Sequence, residues 1–393
     1  MLNTSLLIVC LAFAALSLAM QAPGAEPAEE PTAETIETWE VLDVDGATLR
    51  FHVIEPAALD RKLAAPVLLA LPPGAEDEAM VEAGLGLYWR ALAESGWVVV
   101  SPAPRAEGGE RASAGDGARF VALLELVAER YTTLGGRPHL AGISNGGRGA
   151  FHLAERMPER FLSMTCLPGM PPSETPNFEA LASLPITLFV GELDEPWVLA
   201  GKRAHEALEQ RGGASRFVVV PGEGHVVSPK AAAPIFAHFT ELRERGKQRA
   251  AARADIAAVL DDLHAAAAEA DEARYFDHFA PSVRGPVFIG TDANERWTLE
   301  EFRAFAHPYF AAGEAWTYAS TARHVELDDA SPDSAWFDEL LTHASYGTLR
   351  GTGVLIRRAG RWRVAQYVLS FCVPNEVAAD VVECISAGEP GGK

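Results

Sequence analysis

Cysteine is scarce in this 393-residue chain: there are four, and Cys10 lies in an N-terminal apolar run. Cys166, Cys372 and Cys384 remain, an odd number that implies no disulfide framework, although Cys372 and Cys384 could pair in an oxidising compartment. Metal-binding spacings are missing as well. The chain has no H-E-x-x-H, no paired C-x-x-C and no G-x-x-x-x-G-K phosphate loop, so the expected chemistry uses no metal and no cofactor. Positive charge is the third shortage. Against 54 Asp and Glu stand 33 Lys and Arg, a formal charge of −21. Repulsion from phosphates argues against nucleic acid and anionic membrane surfaces as partners. The length suffices for two domains, each with its own core.

Residues 6–20, LLIVCLAFAALSLAM, are followed by small residues and the acidic, proline-rich stretch APGAEPAEEPTAE. Such a run suits the apolar core of a secretory signal peptide and is short for a membrane span. It predicts residues 1–25 as a signal peptide cleaved near Ala22 or Ala25, residues 26–39 as an acidic linker, and a secreted or periplasmic product with no stable membrane partner. No Lys or Arg precedes the run, the first being Arg50. An uncleaved N-terminal membrane anchor is therefore the competing expectation.

Residues 41–44 and 48–53 read as a hairpin around Asp45-Gly46, a dipeptide suited to a left-handed two-residue turn. Continuous apolar runs follow at 67–71, 97–100, 186–190 and 217–220, as expected of strands covered on both faces. Helical patterns at 78–94, 118–131, 195–210 and 229–245 separate them, and in the second Phe120, Leu123, Leu124, Val127 and Tyr131 share one stripe. Strands alternating with helices predict an α/β fold with a doubly wound, mainly parallel sheet.

Between an apolar run and a helical segment lies Gly142-Ile143-Ser144-Asn145-Gly146. In strand-turn-helix context, G-x-S-x-G thrusts the serine hydroxyl out at the carboxyl edge of a sheet, and glycines permit the sharp turn. A serine nucleophile needs a base to take its proton and a carboxylate to orient that base. Both should leave later strands in the order acid, then histidine. Asp194 ends the run Phe189-Val190-Gly191-Glu192-Leu193-Asp194, and His225 ends Val219-Val220-Pro221-Gly222-Glu223-Gly224-His225. Glu192 and Glu195 are near enough to be mistaken for the acid and rank below Asp194. For the oxyanion, one donor should be the backbone N–H of Asn145. The other should come from the loop Leu71-Pro72-Pro73-Gly74-Ala75; proline has no N–H, so the donor is Gly74 or Ala75.

Together GISNGG, VGELD, GEGH and the run VLLALPPG leading to WVVVSP resemble the α/β-hydrolase superfamily, in particular its depolymerase-like and dienelactone-hydrolase-like esterases. The resemblance covers residues 40–246 and implies an exported serine hydrolase that cleaves a small-molecule or polymeric carboxylic ester through an acyl-enzyme. One departure is Pro72-Pro73 in place of the usual His-Gly. Only residues 170–184 separate the strands between which a lid normally sits, so the site should be open. A catalytically silent binding module and a peptidase or amidase using the same three residues are the alternatives.

Residues 246–255 read as a helix end passing into a linker. A new pattern then begins, with a stripe through Ile256, Val259, Leu260 and Leu263 continuing towards Tyr275, Phe276 and Phe279. Residues 287–292 read as a short strand. Thr298 with Glu301 is a capping box, opening a helix whose apolar face would carry Phe302, Phe305, Tyr309 and Phe310. Strand patterns follow at 316–327, 335–341, 349–357 and 362–371, with a tight turn at Ala359-Gly360 and a tail at 377–393. Helices first and a meander after them make a smaller α+β domain. EARYFDHF, FIGTD, ERWTLEEF and GRWRVAQYVLSF resemble the nuclear transport factor 2-like superfamily, especially its SnoaL-like branch, over residues 251–376. That resemblance implies a cone-shaped cavity and a possible homodimer. Asp292, Asp338, Glu339, His278, His307 and Tyr309 are candidates to face the cavity, Asp338 being the candidate for a base. Trp316, Trp336 and Trp362 are expected in the core.

Overall fold

A computed structural model describes residues 33–388, apart from 45, 106–110, 114–116, 282–284, 286 and 329–330. The expected signal peptide lies outside the described residues. Two compact units, Met1–Phe236 and Ala237–Lys393, make up the chain. None of the described helices is long and apolar enough to cross a membrane.

The first unit opens with β1 (Thr35–Val44) and β2 (Ala47–Pro56), antiparallel from Thr35↔Pro56 to Val44↔Ala47. This hairpin is longer than its sequence suggests, because residues 35–39, expected as linker, pair along β2. Trp39 packs edge-on against His52 at 4.9 Å, and Glu37 meets Arg90. Six further strands follow: β3 (Val67–Leu71), β4 (Val98–Ala103), β5 (His139–Gly142), β6 (Met164–Cys166), β7 (Ile186–Gly191) and β8 (Ser215–Val220). Between β3 and β4, α1 (Glu78–Gly84) and α2 (Arg90–Glu94) flank a π-helical turn at Leu85–Trp89, so the helix expected over 78–94 is interrupted. Next come α3 (Ala118–Arg130), α4 (Asn145–Arg156), α5 (Phe178–Ala182) and α6 (Glu195–Glu209).

The sheet order is β1-β2-β4-β3-β5-β6-β7-β8. β2 runs antiparallel to its neighbours and the other pairs are parallel. This is the α/β-hydrolase arrangement. Every residue of β3, β4 and β7 is buried, the signature of strands covered on both faces. Because β3 lies between β4 and β5, the chain reverses its direction across the sheet there, and such a reversal opens a crevice at the strands' carboxyl ends. The loops leaving β3 and β5 both enter it.

Most of α7 (Ala233–Ala268) belongs to the second unit, and it continues without a break through the expected linker at 246–255. Those residues, GKQRAAARAD, are mostly strong helix formers, and a lone glycine costs a helix only about 1 kcal/mol. Arg249 and Arg253 also donate to the carbonyls of Leu327 and Val325, at 3.2 and 3.0 Å. After α7 come α8 (Glu272–Asp277), β9 (Phe288–Ile289), β10 (Arg296–Trp297) and α9 (Leu299–Ala312). The capping box forms as expected, with Thr298 and Glu301 satisfying each other's backbone N–H. Then β11 (Ala319–Leu327), β12 (Ser334–His343), β13 (Gly347–Arg358) and β14 (Arg361–Phe371) complete a sheet ordered β10-β9-β14-β13-β12-β11. Ala359 and Gly360 take φ of 50° and 77°, the left-handed pair a tight hairpin turn demands. Residues expected as tail form α10 (Ala378–Gly388). Tyr275, Phe276, Phe279, Phe302 and Phe310 lie in one buried cluster with the inner face of the sheet.

Candidate active site

Ser144 sits between β5 and α4 with φ 56° and ψ −109°, a conformation that a non-glycine residue holds at a cost of about 1–3 kcal/mol. Its surroundings impose that shape. The Ser144 N–H donates to the Pro168 carbonyl at 2.9 Å, and its own carbonyl accepts from Arg148 N–H at 3.1 Å. Gly142 and Gly146 are required by crowding: a Cβ on Gly142 would lie 2.1 Å from the Gly146 oxygen, and one on Gly146 2.3 Å from the Leu71 oxygen.

The hydroxyl of Ser144 donates to His225 Nε2 at 2.8 Å, and His225 Nδ1–H donates to Asp194 Oδ2 at 2.6 Å. The chain of donors assigns the tautomer, leaving Nε2 free to accept the hydroxyl proton. The imidazole side chain is 40% exposed and the Asp194 side chain 12%, so the carboxylate is shielded while the imidazole is reachable. Asp194 begins α6 and His225 follows β8. Gly191 lets their loops touch, since a Cβ there would come within 2.0 Å of the Gly224 oxygen. Trp197, one turn into α6, lies against the imidazole with ring centres 5.0 Å apart. Glu192 is turned elsewhere, accepting from Gly222 N–H at 2.9 Å. Glu195 opens α6.

The loop after β3 is held against the turn of Ser144 by a contact that sequence reasoning missed. Asn145 Nδ2 donates to the Gly74 carbonyl at 2.8 Å, and Arg111 Nη1 donates to the same oxygen at 3.0 Å. Arg111 also stands 3.6 Å from Glu76 Oε1. Glu76 is fully buried with φ 61°, and its other oxygen accepts from Ala112 N–H at 2.7 Å. Burial raises the Glu76 pKa above its ordinary value, against the Ala112 hydrogen bond and the charge of Arg111. No motif announces these residues; the one signal is an acid two positions after the glycine of the loop that follows β3. Among the described residues, the main-chain N–H groups of Gly74, Ala75 and Asn145 have no hydrogen-bond acceptor.

The candidates of the second unit scatter. Asp338 faces outward to Arg350 at 3.4 Å, His278 pairs with Asp262 at 2.8 Å, and His307 pairs with Glu272 at 2.7 Å. Asp292 closes a local turn through Asn294 N–H. Glu339, the neighbour of Asp338, is the carboxylate that points inward. It is fully buried and accepts from His264 Nε2 at 2.8 Å, Arg323 Nε at 2.9 Å and the Tyr367 hydroxyl at 2.9 Å. Tyr309 and Trp316 line a cavity, Trp362 is core, and Trp336 is 51% exposed, contrary to expectation. Phe305 and Tyr309 likewise leave the expected apolar core face of α9 and line that cavity. Cys372 and Cys384 are both free thiols.

A family model described as SnoaL-like domain matches residues 256–374. The second unit therefore contains a SnoaL-like domain. No curated protein matches the chain. Among solved structures, the chain is similar to the feruloyl esterase module from Clostridium thermocellum at 15% identity, covering 49% of this chain and 82% of that one, with a TM-score of 0.43. It is also similar to esterases from Rhizomucor miehei, at 16% identity, 56% and 86% coverage and a TM-score of 0.45. Brefeldin A esterase, described as a bacterial homologue of human hormone sensitive lipase, matches at 18% identity, 59% and 77% coverage and a TM-score of 0.41. Likenesses of this degree carry no functional weight. The SnoaL-like domain and the α/β-hydrolase sheet stand instead on the family match and on strand order.

Proposed function

We propose that the first unit is a serine hydrolase that cleaves carboxylic esters. The observation that carries this reading is the aligned chain from Ser144 Oγ through His225 to Asp194, at 2.8 and 2.6 Å, beside unengaged N–H groups. As Ser144 Oγ attacks the ester carbonyl, its proton passes to His225 Nε2 and the carbonyl electron pair moves onto oxygen. Asn145 N–H with Gly74 or Ala75 N–H stabilises that oxyanion. Asp194 holds the imidazole in register and stabilises its cationic form. Collapse of the intermediate breaks the bond to the alcohol, which leaves with the proton from Nε2, and Ser144 carries the acyl group. Water then attacks, giving its proton to Nε2, and the second collapse frees the acid and restores the serine hydroxyl.

Fluorophosphonate labelling and hydrolysis of short-chain nitrophenyl esters test the assignment. The native protein should label and turn over, and Ser144→Ala should do neither while remaining folded. Failure of the folded native protein in both assays would point to a silent binding module. The reading includes export, supported by the apolar run at residues 6–20; recovery of the full-length chain with its first residues intact only inside cells would overturn that part.

A further inference from the structure

A cavity of about 820 Å³ opens in the second unit among β9, β10, α9 and the ends of the long strands. Its walls are aromatic. Phe288, Trp297, Phe302, Trp316 and Tyr318 line it, with Trp297 stacked on Phe305 at 4.4 Å between ring centres. Tyr309 and Tyr346, 47% and 56% exposed, stand among the lining residues with much of each ring open to solvent.

The charge of the lining has one sign. Glu295 and Glu314 contribute carboxylates, and neither has a cationic partner among the described residues. Glu295 is half-buried, and its carboxylate accepts one N–H, from Asp292 at 3.2 Å. No Lys or Arg is among the described lining residues. His343, also in the lining, uses its Nδ1 to accept the N–H groups of Ser345 and Tyr346 at 3.1 and 3.2 Å, so that nitrogen offers no donor to the cavity. Burial, Tyr346 and the Glu295 charge push the Tyr318 phenol up to about 12, so it stays uncharged at neutral pH.

Aromatic faces carry the negative part of the ring quadrupole, so such walls attract a cation over their faces, more strongly when water is excluded. Two uncompensated carboxylates add to that field. An anion is repelled by both, and a neutral molecule gains only from burial of its surface. We propose that this cavity binds an organic cation, a quaternary or protonated amine carried on an aromatic body, with the rings enclosing the body and Glu295 countering the charge. Neither the Ser144 chemistry nor any assigned role of the second unit requires such a site.

Three probes of similar size separate charge from shape: 1-naphthylmethyltrimethylammonium, 1-naphthylmethanol and 1-naphthylmethanesulfonate. Each is titrated calorimetrically into the full chain. The ammonium should bind about tenfold or more tightly than the alcohol, with the sulfonate weakest. Glu295→Gln should weaken the ammonium about fivefold or more and leave the alcohol unchanged, which also reports that the variant is folded. Should that variant fail to fold, Tyr309→Leu, at a half-exposed position, should weaken the ammonium about threefold. Equal or tighter binding of the alcohol or sulfonate, no binding of the ammonium, or an ammonium affinity indifferent to both substitutions would overturn the proposal.

Discussion

Each unit holds a carboxylate hydrogen-bonded to a histidine at almost the same distance: Asp194 to His225 at 2.6 Å and Glu339 to His264 at 2.8 Å. Their surroundings differ in every other respect. Asp194 and His225 lie in loops at the carboxyl ends of strands, the imidazole is partly exposed, and its second nitrogen meets a hydroxyl on a strained turn. Glu339 lies in mid-strand on the inner sheet face and is saturated by His264, Arg323 and Tyr367. Burial works to raise the Glu339 pKa, but hydrogen bonds and charge from His264 and Arg323 outweigh it and hold the carboxyl below its ordinary value. A carboxylate–histidine pair therefore says little about chemistry until its exposure and its remaining partners are known. The first arrangement leaves a nitrogen free to accept a proton; the second ties its carboxylate into structure.

Asp194→Asn should sharpen the contrast most. On the proposed function it reverses the imidazole tautomer without altering shape, and kcat on a nitrophenyl ester should fall about 10⁴-fold with thermal unfolding unchanged. Glu339→Gln should do the opposite, since it takes from Arg323, largely buried, one of its two carboxylate partners and leaves only Asp261 at 2.7 Å. It should destabilise the second unit by about 1–3 kcal/mol in urea unfolding and leave ester turnover per folded molecule intact. Loss of turnover in that variant would break the distinction. Because the Glu339 pKa is depressed on folding, its contribution is complete above the ordinary carboxylate value of 4.5 and is lost as pH falls through the lower folded value. The native and Glu339→Gln unfolding curves should thus separate at pH 7 and converge in acid.

Arg111→Ala tests the loop beside Ser144. It removes one of the two donors to the Gly74 carbonyl and leaves Glu76 without its nearest cation, so kcat should drop about 10- to 100-fold with KM nearly constant. A change confined to KM would mean that Arg111 touches substrate instead. The smallest effect should come from Thr298→Ala, which deletes the cap of α9 and costs about 1 kcal/mol without changing turnover.

Much of the first unit was legible because its signals are local. An apolar run, a sharp G-x-S-x-G turn, and an acid and a histidine each just past a later run are all readable within short windows. They pointed to Ser144, Asp194 and His225, which the fold brings within hydrogen-bond reach. The clamp on the loop after β3 was not legible, because Asn145, Gly74, Glu76 and Arg111 meet only after β3 and β5 become neighbours. In the second unit the alternation of residues 335–341 announced a strand without saying which of Asp338 and Glu339 faces inward. Side chains alternate across a strand, so adjacent residues take opposite faces and only the packing of the sheet decides between them. Likewise α9 displayed an apolar stripe, but whether Phe305 and Tyr309 fill a core or line an opening depends on what packs against them. Sequence alone determined the alternation of strands and helices in the first unit and the helices-then-meander pattern of the second, since these follow from backbone conformation and side-chain chemistry along the chain. Tertiary structure decided which polar groups are saturated, which stay reachable and where space remains, because those depend on neighbours distant in sequence.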